Sequence, residues 1–440
     1  MRRFFIAAAL LAAVPATAQF TRSPERQAAT EKDYRETLRR LGIAHMRPGA
    51  DGYNKQSPNY VNYDEARAGP SSPAPRIFTV QHPTAAWWRK VRRPQLVRLF
   101  EDEMYGRVPR TAPQIDWQLA SEQRVNKSGV AVIERHYRGT VKGSTLAIDL
   151  SETVPEAAHH VSLVLELGFP EGFRFPGAPV PTDPWTAQVL RRGWAYAMIV
   201  PYTVQPDDGA GLKEGVIGIA AQGKPRRLHD WGALRAWAWG ASRALDLFER
   251  DPTVDAKRVA VEGLSRYGKA ALVTMAFDPR FSIGFIGSSG AGGAKPLRRN
   301  FGERLENLTA SGEYHWFAPE FLRYGGPLTV NDLPVDAHEL IALAAPRPLF
   351  ISAGNVKDDG WVDPHGSFLA AKEASSVYQL LGEPGLVGDT MPALNETRSD
   401  GCIAFREHDQ GHTTGPNWPA FLDWAARIWS GKSPCLRAKP

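Results

Sequence analysis

The sequence predicts a three-layer α/β fold in which helices cover both faces of a mostly parallel central sheet. Two short apolar runs, residues 161–167 and 195–200, have the length and continuity of strands that are buried on both faces. Helical patterns at 229–249 and 364–380 alternate with further short apolar runs. Such alternation is typical of parallel strands joined by helical crossovers.

The other elements follow from the same periodicities, taken in chain order. Apolar residues at helical spacing predict a helix over 85–105, which Tyr105-Gly106 ends. Three strand-like segments come before the first buried run and predict an antiparallel edge to the sheet: 115–120, 130–140 and 144–152. The later elements are strands at 258–262, 281–287 and 348–353 and helices at 266–277, 336–344 and 417–430.

Residues 1–18 have the features of an export signal. Two arginines precede the apolar run 4–14, and Ala16-Thr17-Ala18 then matches a signal cleavage site. The alternative is a membrane anchor, but the run is shorter than the roughly 20 residues that cross a bilayer. We therefore expect cleavage after Ala18 and a secreted or periplasmic protein.

The rest of the chain divides into an arm and one large domain. Residues 19–80 are polar and rich in turn signals, which predicts an extended N-terminal arm. Residues 81–432 are predicted to form a single catalytic domain, and 294–334 look like an insertion near its catalytic edge. Cys402 and Cys435 are free to pair in an oxidising compartment, although two isolated buried thiols fit equally well.

The charge of the chain excludes some classes of partner. The formal charge of +6 falls by two, to +4, once Arg2 and Arg3 leave with the signal, and it is spread over the chain rather than gathered in a stripe. Nucleic acid is therefore not expected as a partner. No later segment is long and apolar enough to cross a membrane, and we expect a monomer.

Ser265 lies between a predicted strand and a predicted helix. A serine at such a sharp turn is raised above the sheet edge, as in the nucleophile elbow of α/β-hydrolases. Gly263 and Gly268 leave room for the turn, although Tyr267 stands where the usual motif has glycine. We therefore predict an α/β-hydrolase fold with Ser265 as nucleophile; the alternative is an ordinary helix-capping serine.

The predicted general base is His412. A serine nucleophile needs a base and an orienting carboxylate, and in this fold the chain order is serine, acid, histidine. His412 stands in a glycine-flanked segment just before the last predicted helix. A metal site at His408 and His412 is the alternative, but no third ligand is spaced to complete it, so no metal is predicted. The other late histidines are His338 and His365.

The acid that orients His412 is expected among three aspartates just past the predicted strand 348–353. They are Asp358, Asp359 and Asp363. We choose Asp359 and leave the other two open, since an aspartate there can also cap the helix that begins at Pro364.

The segment from Gly263 to Lys269 resembles the Gly-x-Ser-Arg-x-Gly-Lys segment of the glucuronoyl esterases. The resemblance to bacterial members covers about residues 85–430 and includes 251–259, 278–281, 315–317, 345–348 and 411–412. It implies cleavage of the ester that joins 4-O-methylglucuronate of xylan to a lignin alcohol. No metal or organic cofactor is needed for that reaction.

The resemblance also implies roles for residues around the nucleophile. Arg266 would help to hold the oxyanion, for which a fixed cation is physically suited. Lys269 and Glu313 would bind sugar hydroxyls, and Trp361 would pack against the sugar. Each of these last three also fits a plain structural role: a solvated helix lysine, a surface acid and a core aromatic ring.

One position departs from the fungal pattern. There the catalytic acid is a glutamate directly before a Ser-Gly-x-Gly-Gly run, whereas here Ser288 precedes the matching run 289–293. A serine cannot carry the charge that stabilises an imidazolium. We expect the acid to have moved to Asp359; the alternative is a weakened enzyme.

The leading hypothesis is a secreted serine esterase that cleaves glucuronate esters of glucuronoxylan or lignin–carbohydrate linkages through an acyl-enzyme. One alternative is a carbohydrate acetyl esterase acting on xylan. The other is a non-catalytic polysaccharide-binding relative that keeps the cleft, an idea motivated by Ser288.

Overall fold

The computed structural model describes residues 23–69, 72–173 and 181–436, so the predicted export signal lies outside the described residues. The strands are β1 (Asp116–Lys127), β2 (Val130–Thr140), β3 (Ala147–Pro155), β4 (Val161–Leu167), β5 (Ala195–Ile199), β6 (Val254–Leu264), β7 (Ile283–Gly287), β8 (Leu349–Gly354), β9 (Thr397–Arg398) and β10 (Ile403–His408).

The helices alternate with these strands from β4 onward. They are α1 (Pro24–Leu41), α2 (Ala85–Trp87), α3 (Arg93–Phe100), α4 (Trp185–Arg191), α5 (Pro201–Val204), α6 (Gly215–Ala221), α7 (Ala233–Phe248), α8 (Arg266–Phe277), α9 (Leu305–Leu308), α10 (Ala337–Ala342), α11 (Val356–Asp359), α12 (Pro364–Leu380) and α13 (Trp418–Trp429). Wider helical turns at Trp88–Arg92 and Glu101–Tyr105 extend α2 and α3 into the continuous helical segment predicted over 85–105.

The strands of the described residues form one mixed sheet in the order β1-β2-β3-β5-β4-β6-β7-β8-β10-β9. Six neighbouring strands, β5-β4-β6-β7-β8-β10, are parallel. Strands β1, β2 and β3 form an antiparallel edge, and β9 pairs antiparallel at the other end. The predicted α/β-hydrolase type of fold, with its mostly parallel sheet, is thus confirmed.

Helices pack on both faces of the parallel strands. On one face, the ring of Phe285 in β7 lies 4.7 Å from that of Phe421 in α13. On the other face, Gly284 leaves room for α8, because a Cβ there would lie 2.7 Å from Met275 Cγ. Close packing of this kind fixes the carboxyl ends of the strands, where ligands bind in open α/β sheets.

The prediction of an extended arm is wrong for residues Pro24–Leu41, which form α1. Ser23 caps this helix by accepting a hydrogen bond from Arg26 N, and Gly42 ends it in the left-handed conformation. The helix is mostly polar, so periodicity gave little signal for it. It is held by packing on the catalytic domain, where the ring of Tyr34 lies 4.9 Å from that of Tyr314.

Strand β10 was not predicted either. Its six residues mix apolar and charged side chains and are too few to establish a period of two. Cys402, just before β10, forms a disulfide with Cys435, which ties the tail beyond α13 to the sheet. Among the described residues, every helix is too short or too polar to cross a membrane.

Candidate active site

Ser265 occupies a sharp turn between β6 and α8. Its φ of 63° and ψ of −128° lie in a region that non-glycine residues rarely adopt, at a cost of roughly 1–3 kcal/mol. Its N–H donates to Gly287 O at 2.9 Å. A Cβ at Gly263 would collide with Tyr267 O, so glycine is required there. The backbone therefore has the elbow geometry expected for a nucleophile.

Tyr267, which replaces the glycine of the usual motif, points into the core. Its ring is buried and lies 5.7 Å from Phe169 and 5.4 Å from Trp237. The larger side chain is accommodated because it packs among these aromatic rings in the hydrophobic core.

His412 and Asp359 are brought together on two loops that follow β10 and β8. His412 Nδ1 lies 2.7 Å from Asp359 Oδ1, and Asp359 is 3% exposed. The second carboxylate oxygen, Oδ2, accepts hydrogen bonds from Gly354 N at 2.9 Å and Ser288 Oγ at 2.6 Å. With the Nδ1 proton donated to the carboxylate, Nε2 is left as the basic nitrogen.

Ser288 therefore has a defined contact. It directly follows β7, has a φ of 41° and donates a hydrogen bond from its hydroxyl to Asp359. The position at which the fungal pattern has a glutamate thus holds a hydrogen-bond donor to an aspartate from the neighbouring loop. Sequence reasoning noticed Ser288 but did not foresee this contact, because it joins residues 71 positions apart.

The other two aspartates of this segment have different partners. Asp358 accepts a hydrogen bond from Asn355 Nδ2 at 2.9 Å. Asp363 is buried, pairs with Arg299 Nε at 2.8 Å and caps α12 through Gly366 N at 2.9 Å. These contacts hold the carboxylates of Asp358 and Asp363 to partners other than His412.

His408 fastens the loop that carries His412. Its Nδ1 accepts from Gln410 N at 3.2 Å, and its Nε2 lies 2.9 Å from Thr413 O, to which it donates. Burial lowers the pKa of His408, which keeps the ring neutral and preserves both hydrogen bonds. Among the described residues, the only group of three possible metal ligands is Glu383, Cys402 and Cys435, whose sulfurs are already bonded to each other.

The two remaining late histidines lie elsewhere. His338 Nε2 is 2.9 Å from Pro75 O, and His365 Nδ1 is 3.2 Å from Glu65 Oε2. Both therefore contact the N-terminal arm.

Arg266 is held by Asp207, a residue that sequence reasoning missed. Asp207 Oδ2 pairs with Arg266 Nη1, while Oδ1 lies 2.9 Å from His315 Nε2 and 2.6 Å from Trp316 Nε1. Burial alone would raise the pKa of Asp207, but the Arg266 charge and these hydrogen bonds hold it well below its usual range. The sequence feature that could have identified Asp207 as a site residue is its position beyond the carboxyl end of β5, where ligands bind in open α/β sheets.

Lys269 is buried and fully engaged within the protein. Its Nζ donates to Ser289 O at 2.8 Å, Ala291 O at 2.7 Å and Glu303 Oε2 at 2.9 Å. An ammonium has three donors, so no donor of Lys269 remains for a ligand without rearrangement. Glu303 was not predicted as a site residue.

Glu313 is a partly buried residue whose carboxyl oxygen Oε2 is shielded from solvent. Its Oε2 has no hydrogen-bond partner among the described residues. Burial, and next the Glu303 charge, raise the pKa of Glu313 to about 8, against the opposing effect of Lys269 and Arg266. A carboxyl group that is neutral at pH 7 can both donate and accept a hydrogen bond.

Trp361 lies in the turn Gly360–Val362 after α11 and is partly buried. Its carbonyl accepts from Glu303 N at 2.8 Å, and its ring contacts Gly52 of the arm. The arm thus reaches the site region, which the sequence did not indicate.

Comparison with known proteins relates this chain to carbohydrate and glucuronoyl esterases. A family model described as "Glucuronyl esterase, fungi" matches residues 226–382. The carbohydrate esterase MZ0003 from an unknown prokaryotic organism is 31% identical over 87% of this chain and 95% of that protein. A 4-O-methyl-glucuronoyl methylesterase of Hypocrea jecorina is 38% identical over 42% of this chain and 40% of that protein.

Solved structures give the same result over a longer span. A CE15 glucuronoyl esterase from Teredinibacter turnerae superposes with a TM-score of 0.85 and 42% identity, covering 91% of this chain and all of that chain.

Proposed function

This chain belongs to the glucuronoyl esterase family of carboxylic ester hydrolases, and we propose that it cleaves esters of 4-O-methylglucuronic acid such as those of glucuronoxylan. The observation that carries the proposal is the elbow conformation of Ser265 together with the hydrogen-bonded pair of His412 and Asp359, all of which follow carboxyl ends of strands in the same parallel sheet. Relatives over most of the chain bear the names of carbohydrate and glucuronoyl esterases.

The reaction proceeds in two steps. His412 Nε2 takes the proton of Ser265 Oγ as that oxygen bonds to the ester carbon, giving a tetrahedral oxyanion. The carbon–oxygen bond to the alcohol then breaks, and His412 returns the proton to the leaving alkoxide. In the second step His412 takes a proton from water as the water oxygen bonds to the acyl carbon. The bond between that carbon and Ser265 Oγ then breaks, His412 returns the proton to Ser265 Oγ, and glucuronate is released.

Arg266 supplies the charge that stabilises the oxyanion. The Asp207 pair restricts its guanidinium, whose Cζ lies 5.4 Å from the centre of the Trp316 ring. A cation held in place before the reaction needs little reorganisation when negative charge develops. The backbone N–H of Arg266, the first residue after the nucleophile, is the second donor.

The sugar is assigned to Glu313, Trp361 and Lys269. Oε2 of Glu313, which has no hydrogen-bond partner among the described residues, binds a sugar hydroxyl, and the indole of Trp361 packs against the sugar ring. Because its three donors are engaged within the protein, Lys269 acts mainly through its positive charge and by holding the carboxylate of Glu303 in place.

The non-catalytic alternative was suggested by the serine at position 288. Ser288 donates a hydrogen bond to Asp359 of the proposed triad, and this contact supports an active enzyme. Methyl 4-O-methylglucuronate and acetylated xylan separate the remaining candidates. We expect hydrolysis of the glucuronate ester to dominate and to vanish in Ser265→Ala. A preference for acetyl groups would overturn the assignment.

We also propose that the protein is exported after cleavage at Ala18 and acts as a monomer. The disulfide between Cys402 and Cys435 supports export, since disulfides persist in oxidising compartments. N-terminal sequencing of the secreted protein tests the cleavage, and light scattering tests the monomer.

A further inference from the structure

Tyr53 of the N-terminal arm is fully exposed, at 100%. Single exposed aromatic residues are common on protein surfaces, so exposure alone carries no function. The surroundings of Tyr53 are what distinguish it. We call residues 51–63 the Tyr53 loop.

The backbone of the Tyr53 loop is firmly held. Asp51 Oδ1 accepts from Tyr53 N at 2.9 Å and from Asn54 N at 3.0 Å. The backbone of Asp51 also pairs with Asn59 O at 2.9 Å and Val61 N at 3.0 Å. A ligand that stacks on Tyr53 would therefore order one side chain rather than a whole loop, which keeps the entropic cost low.

The Tyr53 loop is attached to the region proposed to bind the sugar. A Cβ at Gly52 would lie 3.1 Å from Trp361 Cζ3, so the loop backbone rests directly on the indole. Further along, Asn62 O accepts from Gly302 N at 3.0 Å, next to Glu303. Tyr53 is thus continuous with the Trp361 and Glu303 side of the site.

The exposed side chains of the loop suit a carbohydrate. Tyr63 is 42% exposed and lies against Gly360, where a Cβ would be 3.3 Å from its ring. Asn54 and Gln56 are exposed beside Tyr53. Sugar rings present apolar C–H faces and hydroxyl edges, which aromatic rings and amide groups respectively bind.

The connectivity of the substrate decides which part lies here. The loop contacts residues on the acyl side of the ester, and the acyl group is the glucuronate. The xylan chain is attached to that glucuronate, whereas the alcohol leaves toward His412. The loop therefore borders the polysaccharide rather than the leaving group.

We propose that the Tyr53 loop is a second sugar-binding subsite, which binds the xylan main chain beside the glucuronate, with Tyr53 as the stacking platform. This inference rests on the proposed function of Ser265 and Trp361. It adds a contact that small glucuronate esters do not reach.

The test compares Tyr53→Ala with the wild-type protein on two substrates, methyl 4-O-methylglucuronate and methyl-esterified glucuronoxylan. We expect the ratio of kcat/KM for the polymer to kcat/KM for the small ester to fall by about 3- to 10-fold, mainly through KM. Tyr53→Phe should keep the wild-type ratio, and so should the control Leu119→Ala, which removes an exposed apolar side chain on β1.

Three outcomes would overturn the proposal. They are full retention of activity on both substrates, an equal loss on both, and a loss confined to benzyl relative to methyl esters of the same small acid, which would place the alcohol at Tyr53. Affinity electrophoresis in glucuronoxylan gels, comparing Ser265→Ala with and without Tyr53→Ala, tests binding without turnover. Failure of the wild-type protein to cleave the small ester would instead refute the proposed function.

Discussion

Ser265, Asp359 and His412 follow the carboxyl ends of β6, β8 and β10. The residues assigned to the sugar are spread more widely: Lys269 in α8, Glu313 between β7 and β8, Trp361 in the turn after α11, and Tyr53 in the N-terminal arm. We call these sets the triad half and the sugar half. Backbone ladders of the parallel sheet fix the triad half. Side-chain pairs such as Lys269 with Glu303 fix the sugar half.

This difference has a chemical consequence. Substitutions in the triad half should act on the chemical step and leave binding largely intact. Substitutions in the sugar half should act mainly on KM, because they disturb how the acyl group is held. Arg266 joins the halves, since it adjoins the nucleophile but depends on Asp207 and Trp316.

The largest effect is expected from Asp359→Asn. The neutral amide cannot stabilise the imidazolium, and we expect kcat to fall by about 10⁴-fold with KM changed little. Steady-state kinetics with methyl 4-O-methylglucuronate measures this. Asp358→Asn is the matched control, since within the described part of the chain Asp358 makes hydrogen bonds to Asn355 only. Full activity of Asp359→Asn would refute its role in the triad half.

The next largest effect is expected from Arg266→Ala. Losing one oxyanion donor should lower kcat by about 10²- to 10³-fold. Asp207→Asn should give a smaller loss, because the guanidinium remains but is held less firmly. The control is Arg258→Ala, which removes an arginine of similar side-chain exposure, 37% against 38%, that is paired with Asp255. If Arg266→Ala changed only KM, Arg266 would belong to the sugar half alone.

A smaller effect concerns pH and a buried acid pair beneath the triad half. Glu166 and Glu262 are register partners on β4 and β6. Burial, and next the Glu171 charge, raise the pKa of Glu166 to about 7, and burial with the Glu166 charge raises that of Glu262 as well. Stability from a raised carboxyl pKa is present below the unfolded value and is lost as pH rises through the folded one.

We therefore expect the free energy of unfolding to fall as pH rises from 5 to 8, with about 2–3 kcal/mol of that fall due to this pair. Glu166→Gln should flatten that slope, because the amide cannot ionise. Urea unfolding at several pH values measures it, with the exposed Glu156→Gln as control. An identical slope in Glu166→Gln would show that the pair does not titrate in this range.

The smallest effect is expected from Arg26→Ala in α1. Arg26 pairs with Asp208 at 2.5 Å, next to the Asp207 that holds Arg266. A partly exposed pair of this kind contributes about 1 kcal/mol or less. We expect a drop of about 1 °C or less in melting temperature and less than about a tenfold loss of activity. Arg124→Ala, which breaks an exposed pair with Glu156, is the control.

The sequence alone determined the layered α/β fold and the elbow, because both depend on local patterns. Period and length distinguish buried strands from helices, and a serine between glycines at a strand end indicates a nucleophile. It also narrowed the acid to three aspartates within six residues. The local pattern could not distinguish among these three aspartates, because all of them follow the same strand.

Only the tertiary structure decided which groups meet. Asp359 rather than Asp358 or Asp363 contacts His412, and Ser288, which follows a different strand, donates a hydrogen bond to Asp359. Asp207, Glu303 and the arm reach the site across long stretches of sequence. The physical reason is that charge pairing and burial depend on distances in space, which no spacing along the chain encodes.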